Sequence, residues 1–338
     1  MTDLPIKATQ APIFIVGSPR SGTTMLQFML DGIGNLSMPT GESHFFIPLY
    51  RNQKEFTHLD THDGMHRLLQ AIHTFNPTFL YGDLHGLKFD VDRLTLEFVA
   101  EKRCSIPAVI QGIFEKNAAG MGKIRWGDKT PYYALHLSKL ATWWPNAKFI
   151  HLVRDGRDVA LSLFERQHDF RAYNIYYAAQ YWQQYVDECQ NQGRRLPAGQ
   201  YLEIRYEDIL DDETSAIHAI CDFIGEFCPT TLPPVDPDAD AATRKLNTVR
   251  HDNKEKWRNR LTPWQIRVFE SEAGESLQKL GYQLTTSSKR LPLPVRVLYR
   301  MHNALALKWF ELLGKNRTSI LVFDAHAADN MTEPPKKR

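Results

Sequence analysis

Short apolar runs separated by helix-like patterns dominate the first two thirds of the chain. Residues 13–16 (IFIV), 149–153 and 201–206 are continuous runs of the kind that form strands buried on both faces. Strands that alternate with helices favour a parallel sheet whose crossovers place helices on both faces. The pattern therefore predicts an α/β fold with a central parallel sheet, and ligand-binding residues should follow the carboxyl ends of its strands.

The segments after these runs have apolar residues at helical spacing. Leu26, Met29, Leu30 and Ile33 share one helix face, and Gly32 is expected near the end of that helix. The next two predicted helices also have apolar residues at helical spacing. In the first they are Val159, Leu161, Leu163 and Phe164, and in the second Ile217, Ile220, Cys221 and Ile224.

Two regions depart from this alternation. Residues 45–122 are poorly periodic and rich in His, Phe and Leu, which favours a helical insertion over the sheet. From residue 287 the composition changes to a predicted helix at 295–313 and a polar tail. We therefore expect one domain over residues 1–286, with the insertion at about 45–122, and an appendage over residues 287–338.

The predicted appendage helix has an apolar stripe with basic neighbours. The stripe is Leu298, Met301, Leu305, Trp309 and Leu312, and the basic residues are Arg296, Arg300 and Lys308. We favour docking of this stripe on the domain or on a partner subunit over contact with a membrane surface. Homodimer formation and peripheral membrane contact through residues 295–313 both remain open.

The composition limits the classes of protein to which the chain can belong. The 338 residues are 43% hydrophobic and 24% charged, as in ordinary globular domains. Because 41 basic residues nearly balance 39 acidic ones, no nucleic-acid partner is expected, and any anion site must be local. The four cysteines lack the spacing of a disulfide framework, and no signal peptide or membrane span is evident, so we expect a cytoplasmic protein.

The loop over residues 17–24, GSPRSGTT, has the spacing of a phosphate-binding loop between a strand and a helix. A nucleotide hydrolase or kinase needs Lys at the position of Thr23, and here the cation comes earlier, at Arg20. The loop therefore suits a single phosphate or phosphosulfate, and no metal is expected.

A second anion site is predicted in the segment KFIHLVRDGRDVALSLFERQ. Arg154 ends a strand, Ser162 lies in the following helix, and Arg166 comes one turn later, so the three can converge on one phosphate. Guanidinium groups suit this role because they stay charged and offer forked donors. Arg157 and Asp158 are interpreted as turn and cap residues.

These two segments together resemble the sulfotransferases that use 3'-phosphoadenosine 5'-phosphosulfate (PAPS), and the motif pattern is most similar to the glutamate-base branch with the tyrosylprotein and carbohydrate enzymes. The resemblance implies a P-loop-like three-layer fold and PAPS as co-substrate. It also implies that the 5'-phosphate is held by Arg20, Ser21, Gly22, Thr23 and Thr24, and the 3'-phosphate by Arg154, Ser162 and Arg166.

Two further cofactor contacts are implied by the same resemblance. Tyr206, in YLEIRYEDIL, matches a family tyrosine near the adenine, where a base can stack on its ring. A basic loop that returns to the cofactor in family members matches HDNKEKWRNRL, with Lys256 as our choice. Lys254 and Arg250 compete for that role.

Catalytic residues follow from the chemistry of sulfuryl transfer, which needs a cation at the leaving phosphate and a base at the acceptor hydroxyl. Lys129, in WGDKTPYY, resembles the family lysine, and Glu42, in TGESHFFIPLY, resembles the family base. His44 is the rival base, and Asp128 is a third choice.

The sequence thus predicts an enzyme that moves a sulfuryl group from PAPS to a hydroxyl acceptor by in-line displacement and releases PAP. The acceptor class stays open between sugar, lipid, peptide tyrosine and small molecule. The alternatives are a P-loop nucleotide kinase or hydrolase, and a catalytically silent nucleotide-binding scaffold.

Overall fold

The computed structural model describes residues 11–75, 87–228, 253–286 and 289–314. Its centre is a parallel sheet of five strands in the order β2-β3-β1-β4-β5. The strands are β1 (Ile13–Val16), β2 (Leu36–Ser37), β3 (Arg125–Lys129), β4 (Lys148–Val153) and β5 (Tyr201–Arg205). The predicted α/β class is confirmed.

The strand order explains where a ligand can bind. The chain passes from β1 to β2 and β3 on one side, and then to β4 and β5 on the other. Crossovers on opposite sides of β1 leave a crevice beyond its carboxyl end, which is the usual ligand site of such sheets. The loop over residues 17–24 leaves β1 at this point.

Helices cover both faces of the sheet. Those before β4 are α1 (Thr23–Asp31), α2 (Phe46–Arg51), α3 (His62–Phe75), α4 (Val91–Ala100), α5 (Ile106–Gly120) and α6 (Leu137–Trp143). Later ones are α7 (Gly156–Glu165), α8 (Gln167–Phe170), α9 (Ile175–Gly193), α10 (Tyr206–Asp211), α11 (Glu213–Ile224), α12 (Trp257–Arg260), α13 (Pro263–Lys279) and α14 (Leu293–Leu312).

Alternate residues of β1 belong to two separate hydrophobic cores. Ile13 and Ile15 pack with α1 and α11 on one face, whereas Phe14 and Val16 belong to the larger core on the other. That larger core includes buried residues of α2 to α5, so the described residues of the region 45–122 are mainly helical, as the pattern predicts. The strict alternation is what a strand buried on both faces requires.

Strand β3 is not among the continuous apolar runs from which the other long strands were predicted. All five of its residues are buried, although Arg125 and Lys129 carry charge. Arg125 donates from Nε to the Ala11 carbonyl (2.7 Å) and from Nη1 to the Ile224 carbonyl (2.8 Å) and Glu226 (3.1 Å). Lys129 is therefore the last residue of a strand.

Two other boundaries differ from the prediction. Strand β5 ends at Arg205, so Tyr206 begins α10 instead of ending the strand. The N-cap of α7 is Asp155, whose carboxylate accepts from Arg157 N at 2.9 Å. Asp158 lies inside the first turn and accepts from Trp257 N at 2.9 Å, so its interpretation as the cap is wrong.

A buried ionic cluster joins the β4–α7 turn to the later helices. The Arg157 guanidinium bonds Asp155 at 2.7 Å, Glu270 of α13 at 2.6 Å and the Gln283 carbonyl at 3.0 Å. Its carbon lies 3.8 Å from the ring centroid of Trp257. Removing one partner of such a cluster leaves buried charge uncompensated, which is expensive.

We therefore predict that Arg157→Ala lowers the free energy of unfolding by about 3–5 kcal/mol, because Asp155 and Glu270 lose their common counter-ion. Urea denaturation followed by tryptophan fluorescence measures the change. Arg258→Ala is the matched control, since Arg258 also lies over Trp257, at 4.5 Å, but is 44% exposed and paired with exposed Glu255. Equal losses in the two variants would contradict the assigned role.

Candidate active site

The loop over residues 17–24 turns sharply into α1. Arg20 and Gly22 both have left-handed backbone, with φ of 75° and 95°, and Gly22 is the N-cap of α1 without a side-chain cap. The first N–H groups of a helix have no intrahelical acceptor, and the helix dipole favours an anion there. The Ser21 hydroxyl is buried and has no hydrogen-bond partner among the described residues. The loop thus offers donors to an anion.

Position 22 favours glycine for two reasons: its φ is positive, and the Tyr206 ring leaves no room for a side chain. A Cβ atom at position 22 would lie 2.5 Å from Cδ2 of the Tyr206 ring, which is buried against the loop. The Arg154 guanidinium carbon stands 4.7 Å from the centroid of the same ring. Tyr206, predicted as an adenine contact, therefore lies directly between the loop and the end of β4.

The two predicted anion elements meet. Arg20 Nε donates to Ser162 Oγ at 2.8 Å, and Arg154 Nη1 approaches the Arg20 carbonyl at 3.5 Å. Arg154 is buried, yet its Nε has no hydrogen-bond partner in the described part of the chain. Three donors from segments more than 130 residues apart in sequence thus converge on one region.

Arg166 lies near this group but not within it. It comes just after α7, is 49% exposed and pairs with Asp169 at 2.6 Å. Desolvation of the Arg20 guanidinium, together with the charges of Arg166 and Arg154, lowers the pKa of Arg20. That mutual repulsion marks a local excess of positive charge in a chain that is nearly neutral overall.

The segment before α12 also contacts this region. Arg154 Nη2 donates to the Asn253 carbonyl at 2.7 Å, and Asn253 Nδ2 donates to the Tyr206 hydroxyl at 2.9 Å. Lys254 is paired with Asp211, and Lys256 is the N-cap residue of α12.

Sequence reasoning considered only the cations of this segment and missed Asn253, which no pattern distinguishes from a solvated loop residue. Arg250 lies outside the described residues.

Glu42, Lys129 and His44 form the second cluster. Glu42 Oε1 lies 3.0 Å from Lys129 Nζ, and Glu42 Oε2 lies 2.8 Å from His44 Nε2. Burial alone would raise the pKa of Glu42, but Lys129 and His44 outweigh burial and hold that pKa well below its usual range. Both predicted catalytic residues and the rival base are therefore in direct contact.

Asp128 has a different environment. It lies on β3 next to Lys129, fully buried, and burial raises its pKa to about 6. The Ser43 and Thr130 hydroxyls oppose this effect only in part. Ser43 N is held by Thr130 Oγ1 at 3.0 Å, and Ser43 Oγ lies 2.8 Å from the Tyr133 hydroxyl, so this network fixes the turn that carries Glu42.

Two buried tyrosines of α9 lie within electrostatic range of Glu42. The Tyr181 and Tyr185 hydroxyls lie 3.4 Å apart, and both side chains are buried. Burial raises the pKa of both hydroxyls, and the negative charge of Glu42 raises them further. Their helical spacing is equally typical of core packing, so the sequence does not distinguish them as site residues.

Among the described residues, no group of three His, Cys, Asp or Glu side chains is arranged to hold a metal ion. Within the same residues, no helix combines the length and apolar character that a membrane crossing needs.

The contact between Gly22 and Tyr206 gives a prediction. Gly22→Ala should lower the free energy of unfolding by about 1–3 kcal/mol more than Gly225→Ala. Both positions have positive φ, 95° and 78°, but a Cβ at position 225 would meet nothing within 4 Å. Urea denaturation of both variants separates backbone strain from collision with Tyr206, and equal losses would show that the ring moves aside without cost.

Several known proteins are similar to this chain. A family model described as "Sulfotransferase family" matches residues 12–228. A putative protein-tyrosine sulfotransferase of Caenorhabditis briggsae is 27% identical over 218 residues, 63% of this chain and 64% of that protein. A protein of the same description from Caenorhabditis elegans is 34% identical over 101 residues, 29% of this chain and 38% of that one. The chain thus spans less than two thirds of either relative.

Among solved structures, the sulfotransferase domain from the curacin biosynthetic pathway superposes with a TM-score of 0.54 at 23% identity, covering 81% of this chain and 99% of that domain. The sulfotransferase domain of an olefin synthase from Synechococcus PCC 7002 gives 0.52 at the same identity, covering 81% and 97%. These likenesses establish the fold. Because the family model matches well over half of the 338 residues, including both predicted anion-binding segments, Glu42 and Lys129, the chain belongs to the sulfotransferase family.

Proposed function

We propose that the protein transfers a sulfuryl group from PAPS to a hydroxyl acceptor and releases PAP. The observation that carries the proposal is the contact between Arg20 of the first anion-binding segment and Ser162 of the second, at 2.8 Å. It supports a donor with two separate phosphate groups, which is what distinguishes PAPS from ATP.

The residues present fit such a donor. The donors at the α1 N-terminus, with Arg20, Ser21, Gly22, Thr23 and Thr24, would hold the 5'-phosphosulfate. Arg154 and Ser162 would hold the 3'-phosphate. Arg154 Nε and Ser21 Oγ have no partner among the described residues, so they would give the phosphates buried donors. Tyr206 would contact the adenine. Arg166 would have to exchange Asp169 for phosphate, and Lys256 would act from the loop before α12.

The Glu42–Lys129 pair supplies what the transfer requires of the protein. The acceptor oxygen forms a new bond to sulfur while the bond from sulfur to the 5'-phosphate oxygen breaks, and the electron pair of that bond stays on the phosphate. Glu42 would take the proton of the acceptor hydroxyl, and Lys129 would stabilise the charge on the departing oxygen. A carboxylate that is ionised before substrate arrives is ready to accept that proton.

A kinase or hydrolase receives no comparable support. Thr23 stands where magnesium-dependent nucleotide chemistry needs Lys, and it is buried at the start of α1. A catalytically silent scaffold would have no use for a buried lysine held against a carboxylate beside the phosphate loop. The acceptor is proposed only as a hydroxyl compound: sugar, lipid, peptide tyrosine or small molecule.

Glu42→Gln and Lys129→Ala should each lower kcat by about 10²–10⁴-fold, because each removes a group that acts mainly in the transition state. Transfer of label from PAPS to a fraction of cell extract measures turnover, and titration calorimetry with PAP measures binding, which should survive in Glu42→Gln. The matched control is Glu101→Gln, which breaks a Lys–Glu pair of the same 3.0 Å length, with Lys116 on the surface.

Full turnover in Glu42→Gln would remove Glu42 from the chemistry. Turnover of labelled ATP with magnesium, without PAP binding, would replace the proposed function by the kinase or hydrolase alternative.

The pH dependence gives a separate test of the base. The pKa of Glu42 is depressed, so the carboxylate is ionised at every pH above its folded pKa and is lost only in strong acid. The plot of kcat/KM against pH, which reports the free enzyme, should therefore stay flat down to about pH 5. A rise in rate with pH that disappears in His44→Gln would assign the base to His44, and a rise near pH 6 that disappears in Asp128→Asn would assign it to Asp128.

A further inference from the structure

Helix α14 (Leu293–Leu312) is fastened to the domain along one face. Tyr299 stacks on Tyr176 with ring centroids 5.8 Å apart, and Phe310 stacks on Tyr173 at 5.1 Å. Asn303 is buried between these contacts, and its Oδ1 accepts from Tyr173 N at 2.9 Å. The helix is thus held in a fixed orientation by aromatic and hydrogen-bonding groups.

The opposite face of α14 is apolar and exposed. The predicted stripe, which we expected to dock on the domain or on a partner, points away from the domain in the described chain. Its five residues are between 56% and 84% exposed, and they are Leu298, Met301, Leu305, Trp309 and Leu312. Leu293, Val297 and Leu313 extend the exposed apolar surface. So many large apolar side chains on one helix face mark an interaction surface.

Charge indicates what kind of surface covers this face. Between residues 289 and 310 the sequence has five Lys or Arg residues and no Asp or Glu, and Glu311 is the single acid before the helix ends. Arg300 and Lys308 are exposed on α14 itself, and Arg290 is exposed just before it. A helix with an apolar face, a tryptophan and basic neighbours complements the acidic headgroups and acyl boundary of a membrane.

A second copy of the chain fits this face less well. Stable protein interfaces use about 20–30 residues a side. The exposed apolar face has eight large side chains, seven on α14 and one at its C-cap. Two copies meeting through it would also bring the same basic residues together, which costs free energy. A lipid surface needs only the one helix and gains from the same charges.

We propose that α14 lies on anionic membrane surfaces through this exposed apolar face. Leu298, Leu305 and Trp309 enter the boundary between headgroups and acyl chains, while Arg300 and Lys308 reach the acidic headgroups. Since the opposite face is tied to α9, the sheet and its crevice take a fixed orientation relative to the membrane plane.

Vesicle flotation of the full chain tests the proposal. The protein should float with vesicles of phosphatidylcholine and phosphatidylglycerol and much less with phosphatidylcholine alone, and added salt should weaken the binding. The variant Leu298→Glu/Leu305→Glu should bind at least about tenfold more weakly, because two side chains no longer enter the apolar layer. Reversal of charge in Arg300→Glu/Lys308→Glu should remove the preference for acidic lipid.

Leu96→Glu is the matched control, since Leu96 is 65% exposed on α4, as Leu298 and Leu305 are on α14. It should float like the unmodified protein. Because the substituted leucines are exposed, thermal unfolding should be little changed, and a similar Tm in all variants shows that the loss is local.

Absence of flotation, or equal flotation of the control and the double leucine variant, overturns the proposal. A dimer by light scattering that Leu298→Glu/Leu305→Glu converts to a monomer, without flotation of either, would instead assign this face to a second copy.

Discussion

The buried guanidinium of Arg157 holds together the parts of the protein that carry the site. It binds Asp155, which caps α7, and Glu270, which lies on α13. It also supports the ring of Trp257, whose backbone N–H is bound by Asp158. Because Arg154 precedes this turn, Ser162 lies on α7 and Asn253 comes just before α12, one buried charge orients three site segments. The other cations of the site lie on or next to these segments.

The cations of the site differ in how closely carboxylates compensate their charge. Arg157 and Lys129 are each held against carboxylates, so their charge is compensated within the protein. Arg20 bonds a hydroxyl, and Arg154 has carbonyl and aromatic neighbours with only a long ion pair to Asp158, at 3.9 Å; both lie near Arg166. An anion that bears two phosphates would relieve this repulsion, whereas the net charge of the whole chain would barely attract it.

Local patterns predicted the parts of the site that depend on local structure. The apolar run of β1, the glycine loop and the spacing from Arg154 to Ser162 each follow from backbone geometry, and the structure brings these segments together. The hydrophobic pattern did not predict β3, because this strand buries the charged residue Arg125. The partners of Arg125 are the carbonyls of Ala11 and Ile224, which are both more than ninety residues away in sequence. The contacts of Asn253 and the Glu42–Lys129 pair are likewise long-range, and no periodicity encodes them.

The burial of Asn303 has a consequence for how the end of the chain is used. Its side chain binds the backbone of Tyr173 and, at 3.3 Å, the carbonyl of Arg171, so it completes the turn between α8 and α9 from a distance of 130 residues. That turn follows Arg166 and precedes the buried tyrosines that lie within electrostatic range of Glu42. The appendage predicted from residue 287 differs in composition from the rest of the chain. Its helix nevertheless stabilises a connection inside the sulfotransferase fold. A chain shortened to residue 286 would lose the hydrogen bonds that Asn303 makes to that connection.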